Sequence, residues 1–283
     1  MKRGPNTDIG TKDFFEMASS NVEVRNMEPV LFEKDGPVGW LTLNRPDQRN
    51  ALSLDVMTDM LDKLNQIVQD QNIRVVVIKG KGPAFCAGHD LKDMVGPDLD
   101  IRHFYTIFSV CARMMQALHE LPQPVIAQVH GIATAAGCQL VAACDLAVAE
   151  TGAQFATPGV KIGLFCTTPA VPLVRVIGRR RAMEMLLTGR FFTAEQAEKF
   201  GLVNQVVPPE TLSQRTRDLA MEMAQYSRQT LAFGKQAFYR QVDLSESSAY
   251  EYATHAIAMN CLDEDAQEGV GAFLEKRAPV WKN

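Results

Sequence analysis

The chain has 283 residues, of which 46% are hydrophobic and 22% charged, with a net charge of -4 and a pI of about 5.8. That length supplies the core of one large domain, or of a domain with a helical appendage, and the acidic balance excludes a general attraction to nucleic-acid phosphates. The cysteines at 86, 111, 138, 144, 166 and 261 show no C-x-x-C pair, so no zinc site, other metal site, redox pair or disulfide scaffold is expected, and a reducing, cytoplasmic location fits.

Residues 1–27 mix charges with Gly, Pro and Asn and contain no apolar run, so they read as a loose leader and as neither a secretory signal nor a transit peptide. Val30 to Glu33 and Trp40 to Leu43 read as strands around a Gly36-Pro37 turn, followed by a polar loop from Asn44 to Asn50. Ser53 can cap a helix whose apolar stripe is Met57, Met60, Leu61, Leu64, Ile67 and Val68, and Val75 to Ile78 is a short buried strand. The pattern repeats: Phe104, Ile107, Phe108, Cys111, Met114, Met115 and Leu118 form a second stripe, with His103 and His119 on its polar side, ahead of a strand from Val125 to Val129.

A third unit places a buried helix from Gly137 to Cys144 before a strand from Leu146 to Ala149. The apolar stretch from Gly131 to Ala149 is interrupted by Gln139 and Asp145 and is read as buried, with no membrane span. Past about residue 168 only Val203 to Val207 reads as a strand; helices punctuated by Gly178, Gly189, Gly201 and Pro208-Pro209 make up the rest. Arg179-Arg180-Arg181 is a solvated helix start, and the Met and aromatic stripes of these helices are assigned to core or subunit contacts. Repeated strand–helix units define an α/β class.

No G-x-G-x-x-G, G-x-x-x-x-G-K-[ST], G-x-S-x-G or H-E-x-x-H pattern occurs, which disfavours dinucleotide, nucleotide-hydrolysis, serine-hydrolase and metallopeptidase chemistry. Two glycine-bearing segments stand out instead, F-C-A-G-H-D-L-K-D-M at 85–94 and H-G-I-A-T-A-A-G-C-Q at 130–139, each following an apolar run and leading toward a helix. Such turns expose unpaired backbone N–H groups at the positive end of a helix, a setting for an oxygen that becomes negative. The competing reading is a pair of ordinary tight turns in which small residues allow close packing.

The same two segments resemble the paired motifs of the enoyl-CoA hydratase/isomerase family, the crotonase superfamily. The resemblance continues through N-R-P-D-Q-R-N-A-L at 44–52, A-Q-F-A-T-P-G-V-K-I-G-L at 153–164, the L-T-G-R…G-L-V pattern at 187–203 and A-F-L-E-K-R at 272–277. A-G-H-D-L, A-A-A-G-C-Q-L-V-A-like and F-A-T-P-G-V strings are similar to the subgroup of enoyl-CoA hydratase domain-containing protein 3. The family implies an α/β, crotonase-like (ClpP/crotonase) fold of repeated β-β-α units, with a core domain at 28–205 and a helical trimerisation region at 206–283. It implies a homotrimer or a dimer of trimers acting in fatty acyl-CoA metabolism, with a coenzyme A thioester as substrate, no separate cofactor, and no nucleic-acid or membrane partner.

Carried over by motif, the oxyanion-hole donors are the N–H groups of His89 and Ala136. The CoA path implied by the family runs along Arg49, Ala51, Leu52, Ala87, Asp90 and Leu91, with Phe273 and Lys276 reaching the nucleotide end from a neighbouring subunit. The family's two catalytic glutamates match Gln139 and Gly159, and neither can titrate. Each missing acid or base is worth about 10²–10⁴ in rate, so ordinary hydration is expected to be weak or absent. Gln139 reads either as a hydrogen bonder for water or substrate or as a buried amide satisfied by backbone, and Gly159 as a lost catalytic position or a turn glycine after Pro158. His89 reads as a proton-transfer group or as an imidazole held by Asp90 or by nearby backbone. An active lyase or isomerase and a catalytically silent acyl-CoA binder with a regulatory role both remain open.

Overall fold

The computed structural model describes residues 28–97 and 99–282, so the expected leader at 1–27 lies outside the described residues. The elements run β1 (Val30–Asp35), β2 (Val38–Leu43), α1 (Leu54–Gln69), β3 (Val75–Gly80), α2 (Ile101–Glu120), β4 (Val125–Val129), β5 (Ile132–Thr134), α3 (Ala136–Ala143) and β6 (Leu146–Glu150). They continue through β7 (Gln154–Ala156), α4 (Thr167–Thr188), β8 (Phe192–Thr193), α5 (Ala194–Phe200), β9 (Gln205–Val207), α6 (Leu212–Ala224), α7 (Arg228–Gln241), α8 (Glu246–Asn260) and α9 (Glu264–Glu275).

A six-stranded sheet in the order β1-β2-β3-β4-β6-β9 is parallel throughout except for the antiparallel β1–β2 hairpin. Its strands alternate two buried faces, as a period of two requires. Leu41, Val76, Ile78 and Ala127 face the main core with α1, α2 and α3, whereas Val38, Trp40, Val75, Val77 and Ile126 pack on Leu212, Ala220 and Ala224 of α6. Ser53 caps α1 by accepting from the Val56 N–H, and every residue of α3 is buried.

A second sheet, β5-β7-β8, was not expected from the sequence. Its strands are two or three residues long, too short for alternation to declare itself. The two histidines of α2 are partly covered by other elements. His119 is half-buried, its ring stacked on Tyr239 of α7 with centroids 4.0 Å apart. His103 is half-buried, its Nε2 lying 2.7 Å from the Asp93 carbonyl. The arginines 179–181 do begin a new helical segment, because α4 is broken at Gly178, where φ is 74°.

The long helix α7 is fastened to the core by a buried ion pair. Lys235 Nζ lies 2.7 Å from Asp145 Oδ2 and donates to the carbonyls of Leu118 and Gln123, while the Tyr239 hydroxyl donates to Asp145 Oδ1 at 2.8 Å. Burial lowers the Lys235 pKa against the raising effect of Asp145, and the same burial, reinforced by the Asp145 charge, raises that of Tyr239.

Candidate active site

The segment after β3 is laced between two others. On one side the Phe85 and Cys86 N–H groups donate to the carbonyls of His130 and Ile132, and Thr134 returns a bond from its N–H to the Cys86 carbonyl at 2.9 Å. On the other side Ala87 N–H donates to Arg49, Leu52 N–H to the Gly88 carbonyl at 2.8 Å, and Asp90 N–H to Leu52. This ladder engages the Gly88 carbonyl and the Asp90 N–H on either side of His89. The His89 N–H itself has no backbone acceptor among the described residues, and neither has the Ala136 N–H at the first turn of α3.

Glycine is what allows the two turns to interlock. A Cβ on Gly137 would stand 2.1 Å from the Cys86 carbonyl oxygen, and one on Gly88, whose φ is +99°, would stand 3.0 Å from the Thr134 oxygen and 3.4 Å from the Ala136 nitrogen. Each glycine therefore makes room for the backbone of the other segment. Between them Ala135 adopts φ 50° and ψ −116°, a region costly for a residue with a Cβ, as its N–H donates to Ala156 at 2.9 Å. The turn places the start of α3, with its positive dipole end, beside Gly88.

The surrounding loop is fixed by residues that sequence reasoning did not single out. Buried Asn50 accepts from the Arg45 N–H and donates to the carbonyls of Lys81 and Ala84 at 2.9 and 2.7 Å. Arg45 pairs with Asp90 at 3.0 Å and also reaches the Ala51 carbonyl, and the Thr134 hydroxyl donates to the Ala87 carbonyl at 2.9 Å. The signal available for Asn50 was its place in the N-R-P-D-Q-R-N string; its partners lie more than 30 residues away.

Ala51, Leu52 and Asp90 are buried alongside this ladder, whereas Arg49 and Leu91 are exposed at its edges. Asp90 is committed to Arg45 and to the Lys92 N–H, so its side chain is not the partner of His89. The reading in which Asp90 holds the His89 imidazole is corrected accordingly. Both ring nitrogens are shielded from solvent without a hydrogen-bond partner, and the ring stands edge-on to Phe108 of α2 at 5.2 Å. Burial lowers the His89 pKa more than the nearby Leu52 carbonyl and Asp93 carboxylate raise it. A cleft of about 270 Å³ opens between Ser53–Asp55, Asp93, His103, Thr106 and Ile107.

Gln139 lies one turn beyond Ala136 and is 3% exposed, and its Oε1 has no partner, which corrects the expectation of an amide satisfied by backbone. Thr157, fully buried before Pro158, likewise carries an unpartnered hydroxyl. At Gly159 the direction of a side chain is closed: a Cβ would meet Cys166 Sγ and the Leu164 carbonyl oxygen, both at 2.8 Å. Gly159→Glu is therefore expected to destabilise the protein by about 1–3 kcal/mol, the range for overpacking, in urea unfolding. An unchanged midpoint would mean that the 164–166 loop yields freely. Phe273 and Lys276 stand far out at the end of α9, exposed, with Lys276 in a left-handed cap at φ 57°.

The family model for enoyl-CoA hydratase/isomerase matches residues 33–283. Enoyl-CoA hydratase domain-containing protein 3, mitochondrial, of Xenopus laevis is 40% identical over 263 residues, covering 93% of this chain and 89% of its own. Among solved structures, an enoyl-CoA hydratase from Mycobacterium smegmatis superposes with a TM-score of 0.88 at 45% identity, covering 91% of this chain and all 100% of its own. Human enoyl-CoA hydratase domain-containing protein 3 does so with a TM-score of 0.86 at 39% identity, over 89% of this chain and 100% of its own. The fold is thus crotonase-like, and the subgroup resemblance stands. The relatives from Xenopus laevis, Rattus norvegicus and Danio rerio are named mitochondrial, which overturns the cytoplasmic location expected from composition. On the match to the family model and these identities, the chain belongs to the enoyl-CoA hydratase/isomerase family.

Proposed function

We propose that the chain binds a coenzyme A thioester and stabilises its enolate on the N–H groups of His89 and Ala136. One observation carries this reading: two backbone donors without acceptors sit on interlocked glycine turns, next to the start of α3. The thioester oxygen gains negative charge as the enolate forms, so donors aimed at it favour the transition state over the ground state, each by about 10²–10³ in rate. Ala135, held in a strained conformation, fixes one donor before substrate arrives.

In this reading CoA runs past Arg49, Ala51, Leu52, Ala87 and Leu91, and Asp90 contributes by fixing Arg45. Gln139 and Thr157 offer their free polar atoms to the acyl group or to a water. The exposed Phe273 and Lys276, together with the apolar residues Tyr250, Ile257, Leu262 and Leu274 left open on the C-terminal helices, support a homotrimer or dimer of trimers in which these two reach a neighbour's nucleotide. Hydration by the two-glutamate route is weak, because Gln139 cannot act as a base and Gly159 has no side chain. That same loss favours the second reading, a silent acyl-CoA binder with a regulatory role.

Calorimetry with butyryl-CoA and a crotonyl-CoA hydration assay test the proposal. Binding is expected, with hydration at least about 10² slower than that of a two-glutamate hydratase. Lack of binding would overturn the reading, and binding without any thioester chemistry would leave the silent binder.

A further inference from the structure

Enolate formation needs a group that takes the α-proton, and the two positions that supply it by family pattern cannot do so here. Several other ionisable groups around the glycine turns are unsuited. Burial pushes the thiols of Cys86 and Cys138 up to about 12 and raises that of Cys166, so all three hold their protons at neutral pH. Asp90 is neutralised by Arg45, and Glu150 is occupied in accepting the Gly131 N–H at 2.8 Å.

His89 is different on each count. In the oxyanion reading its N–H is one of the two donors, so its ring leaves the same residue that anchors the oxyanion, and the α-carbon of a bound thioester is bonded to the carbon that carries that oxygen. Both ring nitrogens are buried and unpartnered, a costly arrangement that a bound reactant would relieve. Phe108, edge-on at 5.2 Å, restrains the ring. Burial keeps the imidazole neutral, the form with a free lone pair, and Asp93 is the charged group near enough to oppose that effect.

We propose that the His89 imidazole is the proton carrier of this site, an inference that rests on the oxyanion reading above. The neutral ring nitrogen removes a proton from the α-carbon; the C–H electron pair becomes the enolate, held on the His89 and Ala136 N–H groups; and the resulting imidazolium returns a proton to carbon. In D₂O the imidazolium exchanges with solvent before it returns the proton, so the α-position acquires deuterium without net reaction.

The experiment follows deuterium uptake at the α-carbon of butyryl-CoA by NMR, alongside calorimetric affinity for the same thioester. Wild type is expected to exchange. His89→Gln keeps the backbone donor and should bind with unchanged affinity but exchange about 10²–10⁴-fold more slowly. His89→Ala, as a second variant, should recover exchange when imidazole is added to the buffer. Exchange by His89→Gln at the wild-type rate would overturn the role of the side chain while leaving the oxyanion reading intact. Wild type that binds without exchanging would also overturn it, whereas wild type that fails even to bind would remove the underlying reading.

Discussion

Gly137→Ala should slow the proposed thioester chemistry about 10²-fold and destabilise the fold by about 1–3 kcal/mol or more. The added methyl would sit 2.1 Å from the Cys86 carbonyl oxygen and 2.8 Å from its carbonyl carbon, which are backbone atoms tied to Thr134 and Ile132 and unable to swing aside. Relief requires the start of α3 to move away from the 85–89 segment, and with it the Ala136 N–H. Overpacking of this kind costs about 1–3 kcal/mol and at times more, and a displacement near 1 Å between catalytic donors can cost about 10² in rate. Urea unfolding and α-proton exchange on butyryl-CoA would read the two losses separately. A variant with native stability and native exchange would show that the two turns do not act as a unit.

The second large effect is expected at Asp145. Its carboxylate accepts from Lys235, from the Tyr239 hydroxyl and from the Val125 N–H at 2.6 Å, and the Lys235 side chain is only 6% exposed. Asp145→Ala leaves that ammonium buried with carbonyl partners alone, and breaking a buried pair from one side typically costs about 3–5 kcal/mol. Replacing both members, as in Asp145→Leu with Lys235→Met, should cost far less than the single change, because no uncompensated charge remains. Calorimetric melting of the two single variants and the double decides it. Additive losses would mean that the pair contributes nothing as a pair.

Elements with a long enough apolar period were legible in the sequence. The stripe from Met57 to Val68 gave α1, and Val75–Ile78 and Val125–Val129 gave two central strands, since both faces of a parallel sheet are buried and their sequences are apolar throughout. The three short strands of the second sheet were not, nor was the start of β2 at Val38, two residues before the apolar run from Trp40. At the site, the glycine-bearing segments were legible, and the family resemblance pointed within them to the His89 and Ala136 N–H groups, neither of which has a backbone acceptor among the described residues. What stayed hidden was set by partners distant in the chain: Asp90 was claimed by Arg45, 45 positions earlier, which left the neighbouring imidazole alone. The cover over His119 was hidden for the same reason, since the tyrosine stacked on it belongs to a helix more than 100 residues on.

The contorted backbone at Ala135 has a kinetic meaning. Under the proposed function, a turn that is locked when the polypeptide first collapses does not have to be rebuilt at every encounter with a thioester, so the alignment entropy is lost once, on folding. Loosening that residue would therefore show itself as slower turnover in a molecule that melts no earlier than before.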